Sequence, residues 1–153
     1  MPFDIIHADI TKLQTDAIVN AANSGLRPGS GVCGAIFAAA DYHALEAACR
    51  KIGHCDTGDA VITEGYGLAA KYVIHAVGPI WHGGDQNEPA LLKSCYTNAL
   101  RLAAENGCQS IAFPLISAGI YGYPKELALK IAKEAIEEFL LTHDMQIYLA
   151  LFS

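Results

Sequence analysis

The strongest constraint on the fold is an alternation of short apolar runs with longer amphipathic segments. Six runs have the length and β-branched content of strands, and they cover residues 3–8, 17–22, 60–63, 72–77, 110–114 and 146–152. Four segments have helical periodicity, and they cover residues 32–40, 43–52, 89–106 and 124–141. Several strand segments are apolar on both faces, as in sheets covered on both sides. The sequence therefore predicts an α/β domain with a mostly parallel sheet flanked by helices.

The two longest helical segments carry their own end signals. Each begins at a proline suited to a first helical turn, Pro89 or Pro124, and Asn106 with Gly107 closes the earlier one. The apolar side of the earlier helix is predicted to hold Leu92, Tyr96, Ala99, Leu100 and Ala103. That of the later helix is predicted to hold Leu127, Ile131, Ala135, Ile136 and Phe139.

Composition narrows the class of protein. The 153 residues are 52% hydrophobic and 17% charged, which suits one domain with a sizeable core. The apolar runs are far shorter than the roughly 20 residues of a membrane-spanning helix. The first residues lack the basic start and long apolar run of a secretory signal, and the five scattered cysteines suit reduced thiols. We expect a single cytoplasmic domain over residues 1–153 with no membrane contact.

The formal net charge of −6 bears on the ligand. Non-specific binding to nucleic acid depends on clustered Lys and Arg, so a nucleic-acid partner is disfavoured. An anionic ligand would have to be held by backbone N–H groups at helix N-termini and in glycine-rich loops.

Two asparagines, Asn20 and Asn23, stand near the carboxyl end of the second strand segment. Open α/β sheets bind ligands at this edge, and an Asn side chain offers both a donor and an acceptor to ribose hydroxyls. The alternative is that both residues only cap a turn, where Asn is common.

Two glycine-rich loops lead into helices. Residues 29–34, the first glycine loop, match the G-x-G-x-x-G dinucleotide pattern, but Gly29 lies six positions after Asn23 rather than directly at the strand end. A Rossmann-type NAD oxidoreductase therefore stays an alternative with a mismatched motif. Residues 117–123, the second glycine loop, follow the strand that ends at Pro114. Together the two loops could grip a diphosphate from both sides, with Tyr121 as a wall against a sugar.

These motifs, taken in order, resemble the macrodomain family. The resemblance rests on residues 9–11 (DIT), 18–23 (IVNAAN), 31–36 (GVCGAI), 77–81 (VGPIW), 113–114 (FP) and 117–122 (SAGIYG). It covers nearly the whole chain and is strongest toward the MacroD-like branch, which includes bacterial O-acetyl-ADP-ribose deacetylases. It implies a three-layer α/β/α fold that binds ADP-ribose or a derivative, with ADP-ribosylated proteins as further partners and without a cofactor.

The resemblance also implies roles for individual residues. Asp9 would accept a hydrogen bond from the adenine amino group, Ile10 would add a backbone contact, and Phe152 would pack on the adenine ring. Asn23 would face the distal ribose, where the chemistry occurs in hydrolytic members. The diphosphate would lie against the two glycine loops, whose ligand-binding residues would be Gly31, Val32, Cys33, Gly34, Ile36, Ser117, Ala118, Gly119, Ile120 and Tyr121.

Two departures from the family pattern keep the activity open. The first loop usually reads Gly-Val-Asp-Gly with a His four residues after the Asp, and this chain has Cys33 and Phe37 there. One hypothesis is a hydrolase of O-acetyl-ADP-ribose or of mono-ADP-ribosylated carboxylates, with a water held by Asn23 and by the ligand's own phosphate. The other is a non-catalytic reader that has lost its general base. A third role, Cys33 as a nucleophile activated by the helix N-terminus, competes with a thiol that only packs.

The remaining expectations concern metal sites and the C-terminus. Cys49, His54 and Cys55 do not complete a zinc spacing, so no metal is expected, and His75 is expected to be a core residue. Family members usually continue past the last strand into another helix. We expect this domain to lack that helix. The wall against the adenine would then be less supported, so that ADP-ribose binds more weakly or a dimer covers the gap.

Overall fold

The fold is known from a computed structural model that describes residues 2–151. The strands are β1 Phe3–His7, β2 Ala17–Ala22, β3 Ala60–Glu64, β4 Tyr72–Val77, β5 Ser110–Phe113 and β6 Gln146–Leu151. The helices are α1 Gly31–Ala39, α2 Tyr42–Ile52, α3 Glu88–Glu105 and α4 Lys125–Leu140, with a short 3-10 helix at Ile10–Lys12. Each observed end lies within one residue of its predicted position, and Phe152 falls outside the described residues.

The six strands form one sheet in the order β1-β6-β5-β2-β4-β3. Only the pairing of β3 with β4 is antiparallel, so the predicted mostly parallel sheet is confirmed. Because β2 and β5 are parallel neighbours, their carboxyl ends lie at the same edge of the sheet. The two glycine loops follow these strands, and the topology therefore brings them together.

The hydrophobic core consists of two clusters, one on each face of the sheet. The first contains the buried sides of α3 and α4, including Tyr96 and Ile136. The second contains residues of α1 and α2, including Phe37 and Leu45. This distribution gives the three layers that the resemblance implied. None of the helices within residues 2–151 combines the length and apolarity needed to cross a membrane.

The apolar side of α3 is buried as predicted, whereas that of α4 agrees in part: Ala135 and Ile136 are buried, and Ile131 and Phe139 are partly buried against the core. The buried residues of α4 are Ala128, Ala132, Ala135 and Ile136, while Leu127 is 46% exposed. Alanine contributes little to a hydrophobic pattern, so the sequence-based prediction assigned larger side chains such as Leu127 to the buried side of α4. Pro124 also differs from its prediction, because its extended ψ of 127° places it before the helix as the N-cap.

A buried carboxylate, Glu88, organises the connection between β4 and α3. It accepts hydrogen bonds from the backbone N–H groups of His82, Gly84 and Gln86 at 2.8, 3.0 and 2.6 Å. Burial on its own would raise the pKa of Glu88, but these amides outweigh it and lower the pKa to about 2. The glycine-rich segment after Trp81 is thus tied to the first turn of α3.

The lowered pKa of Glu88 predicts a specific acid response. Its ionised form stabilises the fold above the ordinary glutamate pKa, and this contribution disappears as the pH falls from about 4.5 toward 2. Between pH 5 and pH 2, the melting temperature of the wild type should fall more steeply than that of Glu88→Gln. Parallel profiles would contradict this assignment. Glu64→Gln, which removes an exposed carboxylate at the end of β3, is the matched control.

Candidate functional site

A cavity of about 700 Å³ opens at the edge of the sheet where the parallel strands end. Its size is typical of small-molecule sites, which range from about 300 to 1,000 Å³. Among the predicted site residues, those that line it are Ile10, Asn23, Gly31, Val32, Cys33, Ser117, Ala118, Gly119, Ile120 and Tyr121. Both glycine loops therefore contribute to the same wall.

The first glycine loop presents the beginning of α1 to the cavity. Gly31 has a φ of +60°, and its N-cap Ser30 makes no side-chain capping bond to the first turn. The first N–H groups of a helix have no intrahelical acceptors, and the helix dipole makes this end positive. The loop is thus equipped to bind an anion through its backbone.

Two predicted members of the first loop region do not line the cavity. Gly34 faces the loop itself, because a Cβ there would lie 2.5 Å from the backbone oxygen of Gly29. Ile36 is completely buried in the core beneath α1. Gly34 therefore allows the loop to close against the helix, and Ile36 anchors the helix to the sheet.

The second glycine loop has a similar backbone arrangement. Among the described residues, no hydrogen-bond acceptor meets the N–H groups of Ser117, Gly119, Ile120 and Tyr121. Ser117 has a φ of +69°, and its side chain packs where a Cβ on Gly78 would lie. The carbonyl of Tyr121 accepts the N–H of Trp81 at 2.8 Å. The connection that Glu88 organises therefore also supports this loop.

Asn23 caps a turn, as one of its two sequence interpretations predicted, and it also lies at the cavity. Its Oδ1 accepts the N–H of Arg27, and its Nδ2 donates to the carbonyl of Arg27, both at 2.9 Å. The side chain therefore closes a turn. One N–H of the amide is left over, and Asn23 also lines the cavity.

Asn20 lies outside the cavity, contrary to its predicted ligand contact. Its side chain is on the opposite face of β2 from the neighbouring cavity residue Ala21, because successive side chains of a strand alternate. It is 1% exposed, and its Nδ2 donates to Nδ1 of His75 at 3.1 Å. Burial lowers the pKa of His75 to about 4, and His75 is the core residue that was expected.

The thiol of Cys33 is buried at the cavity wall, with 5% of the residue exposed. Burial raises its pKa, and the opposing hydrogen bonds from Asn20 and from the N–H of Gly29 do not cancel this effect. The expectation that the helix N-terminus lowers this pKa is therefore wrong. At neutral pH the group is a thiol, which is a poor nucleophile and a poor base.

Asp9 stands beside the other end of the cavity, between the lining residues Ala8 and Ile10. Its Oδ1 caps the 3-10 helix by accepting the N–H and the hydroxyl of Thr11 at 3.0 and 2.7 Å. The hydroxyl first, and then the N–H, lowers the pKa of Asp9. The group is thus an ionised acceptor near the cavity rather than part of its wall.

Sequence reasoning missed three titratable residues that line the cavity. His7 ends β1, while Lys125 and Glu126 form the first turn of α4. The position of His7 could have been inferred, because β1 is a parallel strand that ends at the same edge. Within residues 2–151, no group of three or more His, Cys, Asp or Glu side chains could hold a metal ion.

Comparison with known proteins gives a consistent result. A family model described as Macro domain matches residues 19–132. The O-acetyl-ADP-ribose deacetylase of Escherichia coli is 50% identical over 150 residues, which is 94% of this chain and 84% of that protein. A macro domain-containing protein of Chlorobaculum tepidum is 58% identical over 135 residues, covering 88% of this chain and 78% of that protein.

Solved structures agree with these sequence relatives. The Oceanobacillus iheyensis macrodomain with ADP has a TM-score of 0.94 and 42% identity, covering 99% of this chain and 83% of that one. The Trypanosoma brucei macrodomain in complex with ADP-ribose has a TM-score of 0.90 and 40% identity, covering 99% and 64%. This chain belongs to the macrodomain family.

Proposed function

We propose that this chain binds ADP-ribose in the cavity and hydrolyses an ester-linked ADP-ribose derivative, either O-acetyl-ADP-ribose or a mono-ADP-ribosylated carboxylate. The observation that carries the proposal is that both glycine loops line one cavity, and that the N–H groups of Ser117, Gly119, Ile120 and Tyr121 have no acceptor among the described residues. Relatives named O-acetyl-ADP-ribose deacetylase and a structural neighbour with bound ADP-ribose support it. The activity would lie in the cytoplasm, with ADP-ribosylated proteins as its macromolecular partners.

The diphosphate fits this arrangement electrostatically. The chain carries a net charge of −6, and the only Lys, Arg, Asp or Glu side chains among the described lining residues are Lys125 and Glu126. Backbone amides and the N-terminus of α1 can bind an anion without further basic side chains. The ligand-binding set that we assign to the diphosphate is Gly31, Val32 and Cys33 from the first loop and Ser117 to Tyr121 from the second.

The chemistry requires a positioned water. Water would attack the carbonyl carbon of the ester, the bond from that carbon to the ribose oxygen would break, and the ribose hydroxyl would gain a proton. The products are ADP-ribose and a carboxylic acid. Asn23 would direct its remaining N–H toward the distal ribose or the water. The water would lose its proton to a phosphate oxygen of the ligand, since the Cys33 thiol is a poor base.

A second function, non-catalytic reading of ADP-ribose, is favoured by one observation. Cys33 occupies the position where the family pattern has an aspartate, and burial raises its pKa. Among the lining residues that the structure describes, the only carboxylate is that of Glu126 on α4, outside both glycine loops. Without a carboxylate beside the first loop, the site lacks that general base for hydrolysis, yet it can still bind ADP-ribose.

A turnover assay with O-acetyl-ADP-ribose, combined with calorimetry using ADP-ribose, separates these functions. A hydrolase releases acetate above the buffer rate, and a reader binds ADP-ribose without doing so. Calorimetry with NAD is the third measurement. Tighter binding of NAD than of ADP-ribose would contradict both functions and favour a dinucleotide enzyme.

Asp9→Ala is expected to weaken ADP-ribose binding by about 1 to 3 kcal/mol if its carboxylate accepts a buried hydrogen bond from the adenine amino group. The substitution also removes the cap of the 3-10 helix, so Asp9→Asn is the informative companion. Asparagine keeps an oxygen for Thr11 but can place an NH₂ group where the adenine needs an acceptor. Calorimetry should show weakening in both variants. Unchanged affinity in both would place the adenine elsewhere.

A further inference from the structure

A chain of buried hydrogen bonds runs beneath the first glycine loop, on the face of the sheet that α1 and α2 cover. Oγ1 of Thr63 lies 3.0 Å from Nε2 of His75, and Nδ1 of His75 lies 3.1 Å from Nδ2 of Asn20. The same Nδ2 lies 3.7 Å from Sγ of Cys33. The chain thus crosses three adjacent strands, β3, β4 and β2, and ends at α1.

With the Asn20 amide oriented so that Nδ2 faces His75, the directions of these bonds agree with one another, and Oδ1 of Asn20 is buried without a hydrogen-bond partner among the described residues. An amide nitrogen can only donate, so Nδ1 of His75 accepts from Asn20 and the imidazole proton lies on Nε2. Nε2 then donates to Thr63, whose hydroxyl in turn donates to the backbone oxygen of Glu64 at 3.0 Å. The second N–H of the Asn20 amide donates a hydrogen bond to Sγ of Cys33. Because Sγ acts as an acceptor there, its own hydrogen is free to donate to another group.

The thiol hydrogen points to the turn that holds Asn23. Sγ of Cys33 donates to the carbonyl of Arg27 at 3.6 Å, and Nδ2 of Asn23 donates to the same carbonyl at 2.9 Å. The N–H of Arg27 completes the turn by donating to Oδ1 of Asn23 at 2.9 Å. The carbonyl of Arg27 therefore accepts hydrogen bonds from both the Cys33 thiol and the Asn23 amide.

We propose that Cys33 is a positioning residue: its thiol, oriented by Asn20 and His75, fixes the Arg27 carbonyl and through it the amide of Asn23. The inference rests on the proposed function only where it predicts a change in turnover, because the positioning of the Arg27 turn does not depend on catalysis. It assigns a role to a thiol that is neither nucleophile nor base, and it makes His75 a remote determinant of the site although His75 does not line the cavity.

The test substitutes His75, because a change there replaces no residue that lines the cavity. His75→Leu removes the acceptor for Asn20, and His75→Gln supplies an amide that can accept from Asn20 and donate to Thr63. Cys33→Ala and Cys33→Ser form the second pair, since serine keeps both a donor and an acceptor. Cys108→Ala is the control for loss of a buried thiol, since Cys108 lies in the core on the other face of the sheet.

Hydrogen exchange of the Arg27 backbone N–H, measured by NMR, reports how firmly the turn is held and does not require catalysis. We expect exchange about tenfold faster in His75→Leu and Cys33→Ala than in Cys108→Ala, with return toward the wild-type rate in His75→Gln and Cys33→Ser. In the hydrolase, kcat should fall about tenfold in the same two variants while the Kd for ADP-ribose changes much less.

The outcomes separate the two proposals. Equal Arg27 exchange in His75→Leu, Cys33→Ala and the Cys108→Ala control would overturn the positioning role, whatever the turnover. Absence of turnover in the wild type would overturn only the hydrolase, because the exchange pattern would still decide the positioning role. If His75→Leu does not fold, the pair Cys33→Ala and Cys33→Ser carries the test by itself.

Discussion

Replacing Gly34 by alanine is expected to weaken ADP-ribose binding about a hundredfold, or about 2.8 kcal/mol. The new Cβ would lie 2.5 Å from the carbonyl oxygen of Gly29, a backbone atom that cannot rotate away. Gly29 would have to move away from the first turn of α1, and Gly29 itself lines the cavity. Because the proposed grip on the diphosphate depends on the directions of backbone N–H groups, a displaced loop loses several hydrogen bonds together.

Calorimetry with ADP-ribose measures this effect, and Gly25→Ala is the matched control. A Cβ on Gly25 makes only ordinary contacts, the nearest being 3.7 Å from Oδ1 of Asn23. Both substitutions add one methyl group to the same segment of chain. Affinity preserved in Gly34→Ala, with an intact fold, would mean that the first loop does not bind the diphosphate.

Asn23→Ala is expected to reduce turnover of O-acetyl-ADP-ribose about a hundredfold, the usual scale for losing a group that orients the reacting atoms. Two effects combine. The N–H left over on Nδ2 no longer meets the ligand or the water, and the Arg27 turn loses both of its hydrogen bonds to the side chain. Steady-state kinetics should show the loss mainly in kcat.

Asn23→Asp keeps only one of the two turn hydrogen bonds, because a carboxylate cannot donate to the carbonyl of Arg27. Aspartate still accepts the N–H of Arg27, but it has no N–H for the ligand and places a negative charge beside an anionic substrate. We expect this variant to be as impaired as Asn23→Ala. Turnover near the wild-type rate in either variant would remove Asn23 from the chemistry and leave it as a turn cap.

Much of the fold could be predicted because the decisive signals are local. Strand lengths, glycine positions and the apolar side of α3 are all encoded within a few neighbouring residues. The stripe of α4 was harder to predict, because buried alanines such as Ala128 and Ala132 allow close packing without a strong hydrophobic pattern. The sequence placed both glycine loops at one edge, but their adjacency depends on the pairing of β2 with β5.

The candidate site shows what local signals cannot supply. Asn20 and Asn23 belong to the same motif, yet the alternation of side chains along β2 buries Asn20 against His75. The sign of the pKa shift of Cys33 depends on a competition between the helix N-terminus and burial, and burial prevails. The role of Glu88 depends on three amides that approach it only when the loop is folded.

The two glycine loops have a consequence for how this protein can diverge. Recognition by backbone N–H groups depends on chain conformation, so side chains at positions such as Ser30, Val32 and Ile120 can change without losing the proposed contacts to the phosphates. Ile120 is 82% exposed while its own N–H has no acceptor among the described residues. Under the proposed function, selection can therefore alter which acyl group or protein is accepted at the rim while the anchor for the nucleotide stays constant.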